Sequence, residues 1–250
     1  MLDQRRLVGP VLVDGELVQP DGGNAARVVH NFTNPATLLH GGVGYVFDSL
    51  SSNSQLSISS GDRTGNWSAI STSTQGVKTV PLLAAWIRHS PQHLKESIEY
   101  TAFPGVQSKA ELLKHKKAVG LKTLKNEPDA MGVWDSKNQV AYGVFWSSTD
   151  TSETGEVALK VPEIKSHPLS GLFCITSSQP VIFIAHFDAW DVRKWTVTVA
   201  DPTQKLTTAT IQFKWTGIPP LGWGLKHKKV VVVKLPSGVN AGSSVTVKVA

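Results

Sequence analysis

Helical periodicity is almost absent from this sequence, and that constrains the fold more than any composition figure. Short segments of alternating or β-branched character recur along the chain, among them RLVGPVLVDG, VGYVF, QLSIS, VPLLAAWIRH, SIEYTAF, QVAYGVFW, PVIFIAHF, KWTVTVA, TATIQFKW, KKVVVVKL and SVTVKVA. Clusters of Gly, Pro, Asn, Asp and Ser separate them, the pattern of an antiparallel β-sandwich with about a dozen strands. One stretch, SKAELLKHKKAV, has helical character: Ser108 and Glu111 form a capping box, and Leu112 and Leu113 supply a narrow apolar face. One short helix in 250 residues excludes the alternating strand and helix order of an α/β nucleotide-binding sheet. The expected fold is all-β, an antiparallel sandwich followed by a smaller C-terminal β-sandwich. The charged end of the helix and the polar stretch GLKTLKNEPDA place the boundary between residues 1–120 and 121–250, with a boundary near VPEIKSHP as the rival.

A chain that is 40% hydrophobic can build real cores, and its net charge of +6 is spread thinly apart from two KHKK clusters, at 114–117 and 226–229. Such clusters are expected to be solvated turns; the functional reading is attraction of an acidic partner, nucleic acid or anionic polysaccharide. No nucleic-acid-binding motif accompanies the charge, so that partner is not expected. The single cysteine, Cys174 in LFCIT, can form neither an internal disulfide nor a cysteine metal cluster, and is expected to pack as a small core hydrophobe. No apolar run approaches the roughly 18 residues of a membrane span. The opening MLDQRRLVGPVLVDGELV lacks the apolar core of a signal peptide, so the chain is expected to stay inside the cell or to be part of a longer one.

The usual catalytic patterns do not assemble. His89 and His93 flank Pro91, which disfavours a helix that would put both imidazoles on one face, and no metal site or cofactor is expected. There is no Gly-x-Ser-x-Gly elbow, and the glycines of LLHGGVGYVF lead into a strand instead of an anion-binding helix start. Eight tryptophans are more informative, because exposed indoles stack on sugar faces. Trp67, in RTGNWSAI with Arg63 and Asn66, has a turn-like polar context and forms the one candidate carbohydrate contact; a purely structural turn is the competing role. Trp86, Trp134, Trp146 and Trp195 lie in or near apolar strands and are expected in cores, while Trp223 in PPLGWGL fits either role. The serine-rich SLSSNSQLSISSGD reads as a surface strand with its turns.

Several segments, in order, resemble the polysaccharide lyases of the hyaluronate, chondroitin AC and xanthan lyase family: LLHGGVGYVF, RTGNWSAI, AAWIRHSPQHLKESIEYTAFPGVQS, LKNEPDAMGVWDSKNQVAYGVFW and TVTVADPTQ. The resemblance implies a secreted enzyme with an N-terminal α/α-toroid, a central β-sandwich and a C-terminal β-domain, cleaving uronic-acid polysaccharides by β-elimination. It also implies that the catalytic Asn, His, Tyr and Arg belong to the toroid and a Glu to an Asn-Gly-Glu-Asn type motif early in the central domain. No residue here matches those motifs. His40, His89 and Tyr45 match strand positions of the β-domains, not catalytic positions. The expectation is therefore the C-terminal β portion of such a lyase, without catalytic residues of its own, supplying scaffold and one wall of an acidic-polysaccharide cleft. The alternative is an autonomous carbohydrate-binding β-sandwich module without catalysis.

Overall fold

The structure is a computed structural model. It describes residues 1–19, 28–50, 53–69, 71–72, 76–89, 92, 96–146, 158–162, 164, 173–217, 223 and 226–249, with the backbone alone at 19, 49 and 67. The regular structure of the described residues is antiparallel strands, one α-helix and short 3-10 turns, and these residues fall into two compact units, Met1–Ala118 and Val119–Ala250. The fold is all-β, as the strand pattern predicts.

In the first unit, β1 (Asp3–Arg6), β2 (Val11–Val13), β3 (Glu16–Gln19), β4 (Val28–Thr33), β5 (Thr37–His40), β6 (Val43–Ser49), β7 (Ser54–Asn66), β8 (Val77–His89) and β9 (Glu99–Pro104) form two sheets. Their orders are β1-β8-β7-β4 and β3-β2-β5-β6-β9. Between them lies a core that takes Leu56, Ile58, Leu83 and Ala85 from the first sheet and Val11, Val13, Leu38, Tyr45 and Phe47 from the second. The stretch VGYVF alternates as its sequence predicts: Tyr45 and Phe47 enter this core with Val43 against it, while Val46 faces the other way.

Val46 meets the helix α1 (Lys109–Ala118), whose buried Leu112 packs with Leu39, Phe103 and Val106 on the outer side of the second sheet. The Ser108 half of the cap forms as read, while the Glu111 carboxylate reaches one residue further back than a capping box requires. Ser108 Oγ accepts the Glu111 N–H at 3.1 Å, and the Glu111 carboxylate accepts the Gln107 N–H at 2.8 Å. Leu113, in contrast, is 45% exposed, so the apolar stripe is one leucine wide. The first KHKK cluster is the last turn of this helix and not a free turn; there the cations complement the helix dipole, and Lys116 pairs with Asp48 at 2.6 Å.

Two glycine requirements explain HGGVG. Gly41 and Gly42 have φ of +56° and +74°, the left-handed geometry of a two-residue hairpin turn between the paired His40 and Val43. Gly44 serves packing instead: a Cβ there would lie 2.6 Å from Leu112 Cδ1 and 2.9 Å from Val106 Cγ2, so only a bare backbone lets the helix sit down.

The second unit contains β10 (Leu121–Asn126), β11 (Ala130–Asp135), β12 (Val140–Phe145), β13 (Ala158–Val161), β14 (Phe173–Thr176), β15 (Val181–His186), β16 (Thr196–Ala200), β17 (Thr208–Trp215), β18 (Lys228–Lys234) and β19 (Val245–Lys248). A six-stranded sheet, β10-β11-β12-β15-β16-β19, faces a four-stranded one, β13-β14-β17-β18, across a single aromatic-rich core. Phe187 meets Trp195 edge-on at 4.9 Å and Phe173 at 5.3 Å, contacts worth about 0.5–1.5 kcal/mol each beyond the area they bury.

Three expectations about individual residues are corrected. Trp134, Trp195 and Trp223 are buried, but Trp146 is 50% exposed and Trp86 is half-buried on the outer face of its sheet. Cys174 is half-buried, not a core residue, and burial pushes its thiol pKa up. The serine-rich stretch forms β7, an inner strand between β8 and β4, in which Ser57, Ser59 and Ser60 are all buried.

Candidate functional site

Strands β7 and β8 are paired along all thirteen residues of each, and the register fixes which side chains share a face. Leu56 and Ile58 point to the core. By alternation Arg63 and Gly65 therefore lie on the outer face, opposite Val80 and Lys78. Arg6 and Gln4 of β1 pair with Leu82 and Ala84 and belong to the same face. Gly65 leaves the floor low, and a concavity of about 740 Å³ results, lined by Gln4, Arg6, Arg63, Lys78, Val80 and their neighbours.

Arg63 is held in place by its Nη2, which donates to Ser59 Oγ at 2.7 Å. Among the described residues neither Arg6, Arg63 nor Lys78 forms an ion pair with a carboxylate, whereas Arg5 pairs with Asp3 at 2.6 Å and Arg193 with Asp191 at 2.9 Å. The concavity thus presents fixed positive charge and amide groups. Among the described residues of its lining there is no histidine, tyrosine or carboxylate to move a proton. Its chemistry is recognition and neutralisation of an anion.

Of the three residues singled out from sequence, Arg63 and Asn66 both line this concavity. Asn66 sits at the rim, but its Oδ1 accepts the Ser68 N–H at 3.1 Å, and Ser68 Oγ accepts the Gly76 N–H at 3.3 Å. Its amide oxygen is therefore used to close the turn. Trp67 opens the 3-10 turn Trp67–Ala69, and its side chain lies outside the described residues. Arg63 alone is joined to other cations. Its partners Arg6 and Lys78 went unread because they come from β1 and β8, and only strand register brings them to one face.

His40 is 2% exposed, with Nδ1 3.4 Å from the Pro10 carbonyl and Nε2 3.2 Å from the Arg6 carbonyl. Both ring nitrogens face backbone oxygens, so neither is directed at a substrate. The cavity of about 550 Å³ next to it, lined by Arg5, Arg6, Gly41 and Gln107 among others, therefore has no base in His40. Tyr45 is equally unsuited. Burial, then its hydrogen bond to Asp3 at 2.8 Å, push its pKa up to about 12, and Arg5 reaches its oxygen at 3.3 Å. It ties β6 to β1. Of the histidine pair considered as metal ligands, His89 ends β8 and His93 lies outside the described residues; among the described residues no cluster of three His, Cys, Asp or Glu could hold a metal ion.

The last segment of the resemblance has a physical basis. Asp201, in VADPTQKL, is 3% exposed; its Oδ1 accepts the N–H and hydroxyl of Thr203, and its Oδ2 the N–H groups of Lys205 and Leu206, all at 2.7 Å. Burial raises such a carboxyl, but these hydrogen bonds outweigh it and hold the pKa at about 2.

Comparison with known proteins matches both units. Residues 1–116 fit the super-sandwich domain of polysaccharide lyase family 8, and residues 122–210 its C-terminal beta-sandwich domain. A chondroitinase AC lyase solved in oligosaccharide complexes superposes on 98% of this chain and 32% of its own, with 20% identity and a TM-score of 0.64. Streptomyces coelicolor A3 chondroitin AC lyase matches over all of this chain and 29% of its own at 17% identity, with TM-scores of 0.60 for a point mutant and 0.54 for a complex with chondroitin sulphate. At these identities the likeness is one of fold, and the chain spans 29–32% of those enzymes. No curated protein sequence matches significantly. Among the described residues no helix is long and apolar enough to cross a membrane. With consecutive domain matches over most of its length, in the order the fold presents them, the chain belongs to polysaccharide lyase family 8.

Proposed function

We propose that this chain is the β portion of an extracellular polysaccharide lyase acting by β-elimination on uronic-acid polysaccharides of the hyaluronan, chondroitin, xanthan or glucuronan type. In this reading residues 1–120 are part of the central sandwich and residues 121–250 the C-terminal one. They supply scaffold and one wall of the polysaccharide cleft, and the base and acid come from an N-terminal α/α-toroid outside these residues.

The observation that carries the reading is the concavity lined by Arg6, Arg63 and Lys78, with no carboxylate among the described residues of its lining. Elimination needs a base, an acid and neutralisation of charge at the uronate, each positioned in one cleft. The described residues of this concavity offer the third function and neither of the other two.

The direct test is to incubate the 250-residue chain with hyaluronan, chondroitin sulphate, xanthan and glucuronan and follow the near-ultraviolet absorbance of unsaturated uronate. No product is expected from the chain alone, while it should bind at least one of these polymers. Steady release of unsaturated product would overturn the proposal.

A further inference from the structure

The cationic concavity is one end of a longer surface. Alternation along the four strands of the sheet β1-β8-β7-β4 assigns every outward-facing position. They are Gln4 and Arg6 on β1, the even-numbered residues 78–88 on β8, the odd-numbered residues 55–65 on β7, and Val29, Asn31 and Thr33 on β4. That face carries four cations, Arg6, Arg63, Lys78 and Arg88, and no aspartate or glutamate. The chain has 19 acidic residues, so their exclusion from a whole sheet face is a strong segregation of charge. Among the described residues none of the four cations is paired with a carboxylate, unlike Arg5, Lys116, Lys125 and Arg193 elsewhere.

The rest of the face has the groups that a sugar chain uses. Trp86 lies half-buried in the row Trp86–Ser57–Asn31, between the cations of the concavity and Arg88. Ser57 and Ser59 are buried, Ser57 donating to Asn31 Oδ1 at 2.6 Å and Ser59 accepting from Arg63 Nη2 at 2.7 Å, so the floor is polar. Lys78 and Arg88 are ten residues apart on one strand, about 33 Å at the usual rise. A surface of that length is larger than one sugar residue requires.

We propose that this outer face is a track for an anionic polysaccharide chain, with Lys78, Arg63 and Arg6 holding one stretch of acidic groups, Trp86 stacking on a sugar ring and Arg88 holding a further acidic group beyond it. The track rests on the reading of the concavity as an acidic-polysaccharide site and adds to it a second contact region. Its occupant is a polymer segment several sugars long. Charge complementarity selects an anionic glycan, and the indole between the cations favours a stacked sugar ring over a bare polyanion.

The test measures affinity of the 250-residue chain for chondroitin sulphate tetrasaccharide and dodecasaccharide. The dodecasaccharide should bind the more tightly. Removing the distal contacts, in Trp86→Ala or Arg88→Gln, should weaken dodecasaccharide binding about tenfold, the order expected for one stacking or charged contact, and leave the tetrasaccharide unchanged. Lys78→Gln should weaken both. Arg88 is exposed, so its variant keeps the test valid if Trp86→Ala does not fold. Equal affinity for the two lengths, an Arg88→Gln chain with native dodecasaccharide affinity, or equally tight binding of a DNA oligonucleotide of matched charge would overturn the track. Absence of binding at every length would overturn the concavity reading with it.

Discussion

Replacing Asp201 by asparagine keeps the shape of the side chain and removes its charge. In the native turn the carboxylate accepts four hydrogen bonds, two on each oxygen, all at 2.7 Å. An amide offers one acceptor oxygen, and its NH2 must face donors, so two of the four bonds are lost whichever way it is turned. The folded carboxyl titrates at about 2 against an ordinary value of 3.8. That difference of about 1.8 units, at about 1.36 kcal/mol each, makes the charged form worth about 2 kcal/mol to folding. Because the folded pKa lies below the unfolded one, this stability is complete above pH 3.8 and fades as pH falls toward 2. Asp201→Asn is therefore expected to lower the stability of the unit Val119–Ala250 by about 2 kcal/mol or more at pH 7, and the gap to the native chain should shrink by about half at pH 3. Denaturant titration followed by tryptophan emission reads this unit directly, since Trp134, Trp195, Trp215 and Trp223 are buried in it. A variant as stable as the native chain at pH 7, or a gap that does not change with pH, would refute the account of the turn.

The hairpin and its helix give two further expectations. Gly44→Val places a side chain where even a Cβ lies 2.6 Å from Leu112, so the first unit should lose about 1–3 kcal/mol with partial unfolding of α1, read by denaturation and by amide exchange of Lys109–Ala118. An unchanged exchange pattern would count against helix docking as the reason for that glycine. His40→Ala, in a full-length family 8 lyase carrying these domains, should cost about 2 kcal/mol of stability and leave turnover per folded molecule unchanged. A large loss of turnover in a fully folded protein would make His40 a participant in the chemistry.

Features set by adjacent residues are legible in the sequence, whereas which face of a strand is covered is legible only in part. The capping box of α1 is set by two side chains three residues apart, and its Ser108 half formed as expected. The alternation of VGYVF put Val43, Tyr45 and Phe47 on the core side. The same alternation in VPLLAAWIRH separates two faces without saying which is covered, and Trp86 falls on the outer one. Trp146 and Cys174 were misplaced for the same reason: an apolar residue in a strand reports a face, and the second sheet decides whether that face is inside.

An all-β chain with one capped helix, the glycine turn after His40 and the family resemblance of the segments are legible in the residues alone, because they rest on periodicity, turn chemistry and neighbours in the chain. The packing of strands, by contrast, turns His40 and Tyr45 toward internal partners and lets Asn66 close a turn. It alone also placed Arg63 beside Arg6 and Lys78 and aligned Trp86 and Arg88 with them. The physical reason is register: residues far apart in sequence meet on one face only when hydrogen bonding fixes which strands are neighbours and how far each is shifted along the next.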